Sequence, residues 1–163
     1  MSDSNLIPLQ RLGEDCAYTF KGLHKTADWL EVQYKLYLAI PILFSIVALG
    51  FDEEISSLWL KGFAVASLAF TMFALLGQHR FEKVGTYRRL ADKVKSIYDR
   101  AEVAYHDRDE EKHAEVRSEW ERLKPALSQH NISWMGRWRS KRVIQKEMNL
   151  LWLGGEYGTG EGR

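Results

Sequence analysis

Leu36 to Phe51 reads LYLAIPILFSIVALGF, and Gly62 to Gly77 reads GFAVASLAFTMFALLG. Each is a run of sixteen residues without a charge. At 1.5 Å per residue such a run makes about 24 Å of helix, short of a hydrocarbon core of about 30 Å. The flanks supply the difference. Tyr34 and Tyr37 flank the first run and Trp59 opens the second, while Lys61 sits close enough to a helix end to snorkel. A helix in a soluble bundle needs a polar face, and neither run has one. The pair therefore predicts a transmembrane helical hairpin with spans over about 36–51 and 59–77. Two buried core helices of a soluble bundle are the alternative.

The short connector Asp52-Glu53-Glu54-Ile55-Ser56-Ser57 is acidic. Lys21, Lys25 and Lys35 precede the first span, and Arg80, Lys83, Arg88, Arg89, Lys93 and Lys95 follow the second, against Lys61 alone on the connector side. The excess of cations beside both outer ends predicts a multi-pass protein with both termini in the cytoplasm. The first apolar run starts too late and lacks the small-residue exit of a secretory signal, so a cleaved signal peptide is not expected. Asn131-Ile132-Ser133 fits a glycosylation triplet, but on a cytoplasmic segment it is a chance match.

Outside the runs the chain reads as amphipathic helix. Phe20, Leu23, Ala27, Leu30, Tyr34 and Tyr37 recur at spacings of three and four, which predicts one helix from about residue 14 to 50. Phe81, Val84, Tyr87, Ala91, Val94, Tyr98, Ala101 and Tyr105 repeat that pattern after the second span. Two such legs should zip together antiparallel, with Leu23, Leu30, Tyr34, Tyr87, Val94 and Tyr98 along the cytoplasmic seam. Asp107 with Glu110 reads as the cap of a further helix carrying His113, Val116, Trp120, Leu123 and Leu127, which Pro125 should end or kink. A last helix is expected from about Trp134 to Leu153, and the Gly-rich residues 154–163 read as a flexible tail. The expected fold is thus an all-α membrane protein: a two-span hairpin, long cytoplasmic helical extensions and a C-terminal helical region over about 126–153.

Composition excludes several classes. In 163 residues, 23 Lys and Arg face 22 Asp and Glu, so net charge favours no polyanionic partner. The lone Cys16 excludes an internal disulfide framework and a cysteine-based metal site. No phosphate-cradling loop, nucleophile elbow or metalloprotease motif is present, so neither catalytic residues nor a cofactor are expected. His106, Glu110 and His113 have helical ligand spacing, but a helix starting near Asp107 would leave His106 outside it, and solvated surface is the expected reading.

Two further patterns bear on function. Ala64, Ser67, Thr71 and Ala74 form a small, weakly polar stripe in the second span, with Ser45 the first span's polar side chain and Pro41 its expected kink. Such a stripe marks close helix contact, or the wall of an aqueous path once several hairpins assemble. Phe63, Phe70 and Phe73 fall on another face. No acid or arginine lies within either span, which argues against a proton-coupled transporter. From Trp134 to Lys146, Arg137, Arg139, Lys141 and Arg142 interleave with Trp134 and Trp138 without an acid. That pattern suits an anionic leaflet, a partner protein, nucleic acid or plain packing onto the legs. The apolar Leu150 to Leu153 just beyond weighs against nucleic acid.

The segment His24-Lys25-Thr26-Ala27-Asp28-Trp29-Leu30-Glu31, continued by Leu38-Ala39-Ile40-Pro41 and Ser45-Ile46-Val47, resembles the lead-in to the first span of the SLATT family. Phe81-Glu82-Lys83 and Tyr87-Arg88-Arg89-Leu90-Ala91 are similar to that family's Arg- and Tyr-rich helix after the second span. The resemblance covers about residues 14 to 125, preceded by an N-terminal segment over 1–13. These are two-transmembrane effector domains associated with nucleotidyltransferases and SLOG-type sensors in bacterial conflict systems. The resemblance implies a homo-oligomeric effector of the bacterial inner membrane that forms pores or otherwise permeabilises the bilayer. A partner, a nucleotidyltransferase or SLOG-type protein, would supply or sense the signal, since no sensor domain is recognisable in the chain. It implies no catalytic residues. A membrane-anchored scaffold that tethers a cytoplasmic partner through residues 107–153 is the competing expectation.

Overall fold

The structure is a computed structural model that describes residues 3–50 and 56–147, with side chains over 8–50 and 56–144. The described residues are all-helical, with no strand. Five helices follow in order: α1 (Asp3–Gly50), α2 (Ser57–Glu82), α3 (Val84–Asp107), α4 (Glu110–Ser128) and α5 (Trp134–Glu147). They divide into two compact units, one made of residues up to Ala27 and from Gly85 onward, the other of Asp28–Val84.

The first unit owns the buried core. Leu9, Leu12, Cys16, Ala17, Phe20 and Leu23 from α1 meet Leu90, Ala91, Val94, Ile97, Tyr98, Ala101 and Ala104 from α3, and Val116 and Trp120 from α4 close the cluster. The spacings of three and four along each helix are what bring these residues onto one face. Gln10 donates to the Tyr105 hydroxyl at 3.2 Å, Phe20 meets Tyr98 at 5.7 Å between ring centroids, and His24 lies 3.5 Å from Asp92. Partner numbers on α3 thus fall as those on α1 rise.

α1 begins well before residue 14, where the expected helix starts, and that added length contributes Leu9 and Leu12 to the core. Asp109, not Asp107, caps α4: its Oδ1 accepts from the backbone of Glu111 at 3.0 Å and of Lys112 at 3.2 Å. Asp107 is instead held as the last residue of α3. The chain turns between the helices at Arg108, whose φ of 53° is left-handed. Pro125 lies inside α4, which continues to Ser128 instead of ending there. Pro125 removes the single N–H that would bond the Glu121 carbonyl, and only three residues of helix follow it.

The second unit is built on rings. Phe44 stacks on Phe63 at 5.3 Å, Tyr34 meets Phe81 at 4.9 Å, and Tyr37 sits within 6.4 Å of Phe70, Phe73 and Phe81. Ser56 is the extended N-cap of α2, and the backbone N–H groups of Trp59 and Leu60 bond its carbonyl.

Candidate functional site

Two surfaces stand out, one apolar and one basic. The apolar one belongs to the second unit. Its two helices are long and apolar enough to cross a membrane, with mean hydropathy 1.7 in each. None of the most apolar window is buried in α1, and 6% of it is buried in α2. Leu49 is 85% exposed, Leu76 79% and Leu58 78%, with Ile42, Ile46, Val65, Leu68 and Leu75 also exposed. The core helix of a soluble bundle is mostly buried, and among the described residues neither of these two is.

The small stripe of α2 does not share one environment. Ala74 is buried and Ser67 half-buried, together with Phe63, Phe70 and Gly77. Ala64 and Thr71 are exposed, as is Ser45 on α1. Phe63 and Phe70, placed on a separate face by spacing alone, are thus on the contact side of α2, whereas Phe73 is 60% exposed. The Thr71 hydroxyl donates to the Ser67 carbonyl at 2.9 Å, and the Ser45 hydroxyl to the Pro41 carbonyl at 2.9 Å. Each donor is satisfied within its own helix, so neither hydroxyl needs a water on an apolar face.

The seam residues also divide. Leu23, Val94 and Tyr98 are buried in the first unit. Tyr87 packs at its edge, donating to the Asn131 carbonyl at 3.2 Å and meeting the His130 ring at 5.6 Å, and burial pushes its phenol pKa up. Leu30 and Tyr34 lie beyond Ala27 in the second unit, the first half-buried and the second exposed.

The basic surface is carried by α5. Gly136, Ser140 and Ile144 are its buried face. A Cβ on Gly136 would stand 2.9 Å from the Gly22 carbonyl oxygen and would overlap the Thr26 hydroxyl. A Cβ on Gly22 would meet Ile132 at 2.9 Å. Thr26 Oγ1 accepts from the Ser133 backbone at 3.1 Å and lies 3.2 Å from the Ser133 hydroxyl, which in turn accepts from Gly136 N–H at 3.0 Å. Ser133 is therefore the N-cap of α5 and is itself bonded to α1. Trp134, Arg137, Trp138, Arg139, Lys141 and Arg142 are all exposed, and the Arg142 guanidinium lies 4.2 Å above the Trp138 ring. Expected residues 148–153 of this helix lie outside the described residues.

Glycine docking left no apolar periodicity to read, although Gly22-x-x-x-Thr26 and Gly136-x-x-x-Ser140 carry the small-residue spacing of close helix contact. A second unexpected feature is a cleft of about 300 Å³ between α3 and α4, lined by Lys93, Ser96, Arg100, Glu119 and Arg122 over Ile97 and Leu123. Arg100 pairs there with Glu119. His106 falls in the last turn of α3, whereas Glu110 and His113 belong to α4. Among the described residues no group of three or more His, Cys, Asp or Glu is placed to hold a metal ion. The lone Cys16 is buried, and burial pushes its thiol pKa up to about 12, with Asp15 adding to the effect. Comparison with protein-family models, with curated proteins and with solved structures yields no match to this chain.

Proposed function

We propose that the chain is an oligomeric effector of the SLATT kind, acting in the inner membrane of a bacterium by permeabilising it in response to a signal made or sensed by a partner protein. α1 beyond Asp28 and α2 form the two spans, antiparallel, with both termini cytoplasmic. The observation that carries this reading is the exposed apolar surface of these two helices, which the other described residues leave uncovered while the other unit is closed around its own core. A bilayer is the solvent such a surface calls for. Two helices cannot enclose a water path, so assembly is part of the claim. The outward-facing Ala64 and Thr71 allow a second copy to approach closely, because small side chains bring helix backbones together.

The test is membrane potential in expressing cells and dye release from proteoliposomes. Thr71→Leu suits lipid and leaves the hairpin's own ring contacts alone, yet it should suppress permeabilisation by crowding the neighbour. Leu68→Phe, on a lipid-suited position, should leave permeabilisation at the wild-type level. Polarised cells and tight vesicles with the wild-type chain, even at densities where assembly no longer waits for the signal, would instead favour a tether that holds a cytoplasmic partner through residues 107–153.

A further inference from the structure

The outward face of α5 has no role in the reading above, and its chemistry is specific. The glycine-mediated contact with α1 fixes which side of the helix is buried. Opposite Gly136, Ser140 and Ile144 stand Trp134, Trp138, Lys141 and Arg142, at helical spacings that place them on one stripe. Trp134 is 75% exposed and Trp138 46%. Residues 134–146 contain no acid. We propose that this face of α5 is a binding surface for anionic lipid headgroups, with Lys141 and Arg142 meeting phosphates and the two indoles seated at the interface.

Three features favour a lipid surface over the other polyanions. A flat stripe two indoles long suits a plane, where tryptophan has its preferred depth at the headgroup level. One face of the Trp138 ring is covered by the Arg142 guanidinium, which closes that face to a nucleobase while both residues stay exposed. Finally, a cation beside an anionic leaflet is worth about fivefold in partitioning, and this stripe offers cations without an intervening acid. The proposal rests on the membrane reading only for its setting, since a lipid surface and a membrane span are separate properties.

The experiment uses the full chain reconstituted in vesicles of phosphatidylcholine alone or mixed with phosphatidylglycerol. Trp134→Cys gives up one indole for an environment-sensitive fluorophore but keeps Trp138 and every cation of the stripe, with binding of the unlabelled wild type to the same vesicles by flotation as its reference. Leu49→Cys carries the same probe in the apolar unit. Quenching is read against lipids bearing a nitroxide at the headgroup or along the acyl chain. Headgroup quenching at position 134 in the mixed vesicles only, reduced by salt and brought back to the neutral-vesicle level by Lys141→Glu with Arg142→Glu, is the expected result. Equal signals at 134 in both vesicle types overturn the proposal, as does a probe that responds to an RNA oligonucleotide more strongly than to phosphatidylglycerol. Quenching at 49 with none at 134 sinks this proposal and leaves the spans standing. Quenching at 134 with none at 49 does the reverse.

Discussion

Gly136 of α5 comes so close to Gly22 of α1 that the space between them admits no methyl group: a Cβ would lie 2.9 Å from a backbone carbonyl oxygen. Because a carbonyl cannot swing aside like a side-chain tip, Gly136→Ala should push α5 off its seat at a cost of about 1–3 kcal/mol. Gly85→Ala is the matched control, since nothing lies within 4 Å of that site and only the helix-propensity gain of about 0.5–1 kcal/mol remains. Amide exchange across α5 separates the two: it should accelerate in the first variant and stay unchanged in the second.

The turn between α3 and α4 holds Arg108 at φ 53°, a conformation that costs an L side chain about 1 kcal/mol and glycine almost nothing. Arg108→Gly should therefore raise the unfolding midpoint slightly. A lowered midpoint would mean that the arginine side chain contributes more there than its backbone loses.

Val94→Asp places a carboxylate in a fully buried site among α1, α3 and α4, at a cost on the order of 3 kcal/mol or more. Leu30→Asp puts the same group on a half-buried position of the other unit, where water reaches part of the residue. Limited proteolysis should cut the first variant within residues 85–128 and leave that region of the second intact.

Unbroken apolar runs exposed the two long helices, and the three-four spacing of Phe20, Leu23, Val94 and Tyr98 exposed the core of the first unit. The same spacing continues through Leu30 and Tyr34 without any mark at Ala27, so the sequence shows one stripe where two units share a helix. Asp107 has the better capping pattern, with an acid three residues on, yet α3 stays wound up to it, with Ala104 buried one turn earlier. The seat of α5 was hidden because it depends on side chains that are missing, which no hydrophobic pattern records.

Cys16 supplies a convenient silence. With its thiol pKa pushed up to about 12, roughly one part in ten thousand is thiolate at pH 8, so the native protein should ignore maleimide until it is unfolded. Cysteines introduced at the exposed Ser57 and Ser118 then report sidedness without replacing Cys16. An impermeant maleimide added to intact cells should label position 57 and spare 118. The opposite pattern would invert the proposed topology.

Burial, reinforced by Arg117 and opposed by Glu110, holds the His113 imidazole below its ordinary value of 6.5. As pH falls the unfolded chain takes up this proton first, so the stabilisation is present above about 6.5 and is lost on further acidification toward the lowered value. His113 lines a cleft between α1 and α4 together with Arg11, Asp15, Arg117, Glu121 and Lys124, and Asp15 is shifted upward by burial, which works in the opposite direction at lower pH. Chaotrope midpoints measured between about pH 7 and 5 should fall, and His113→Gln should flatten the slope.

The unit that closes around Leu23 and Val94 is discontinuous: its first strip of apolar side chains ends at Ala27, and the strips that cover it start only at Gly85. A ribosome makes the chain in one direction. Leu9, Leu12, Cys16, Phe20 and Leu23 must therefore wait, uncovered, while all of Asp28–Val84 is synthesised, and Trp120 arrives later still. During that interval the nascent helix carries an apolar flank whose covering helices have yet to be made.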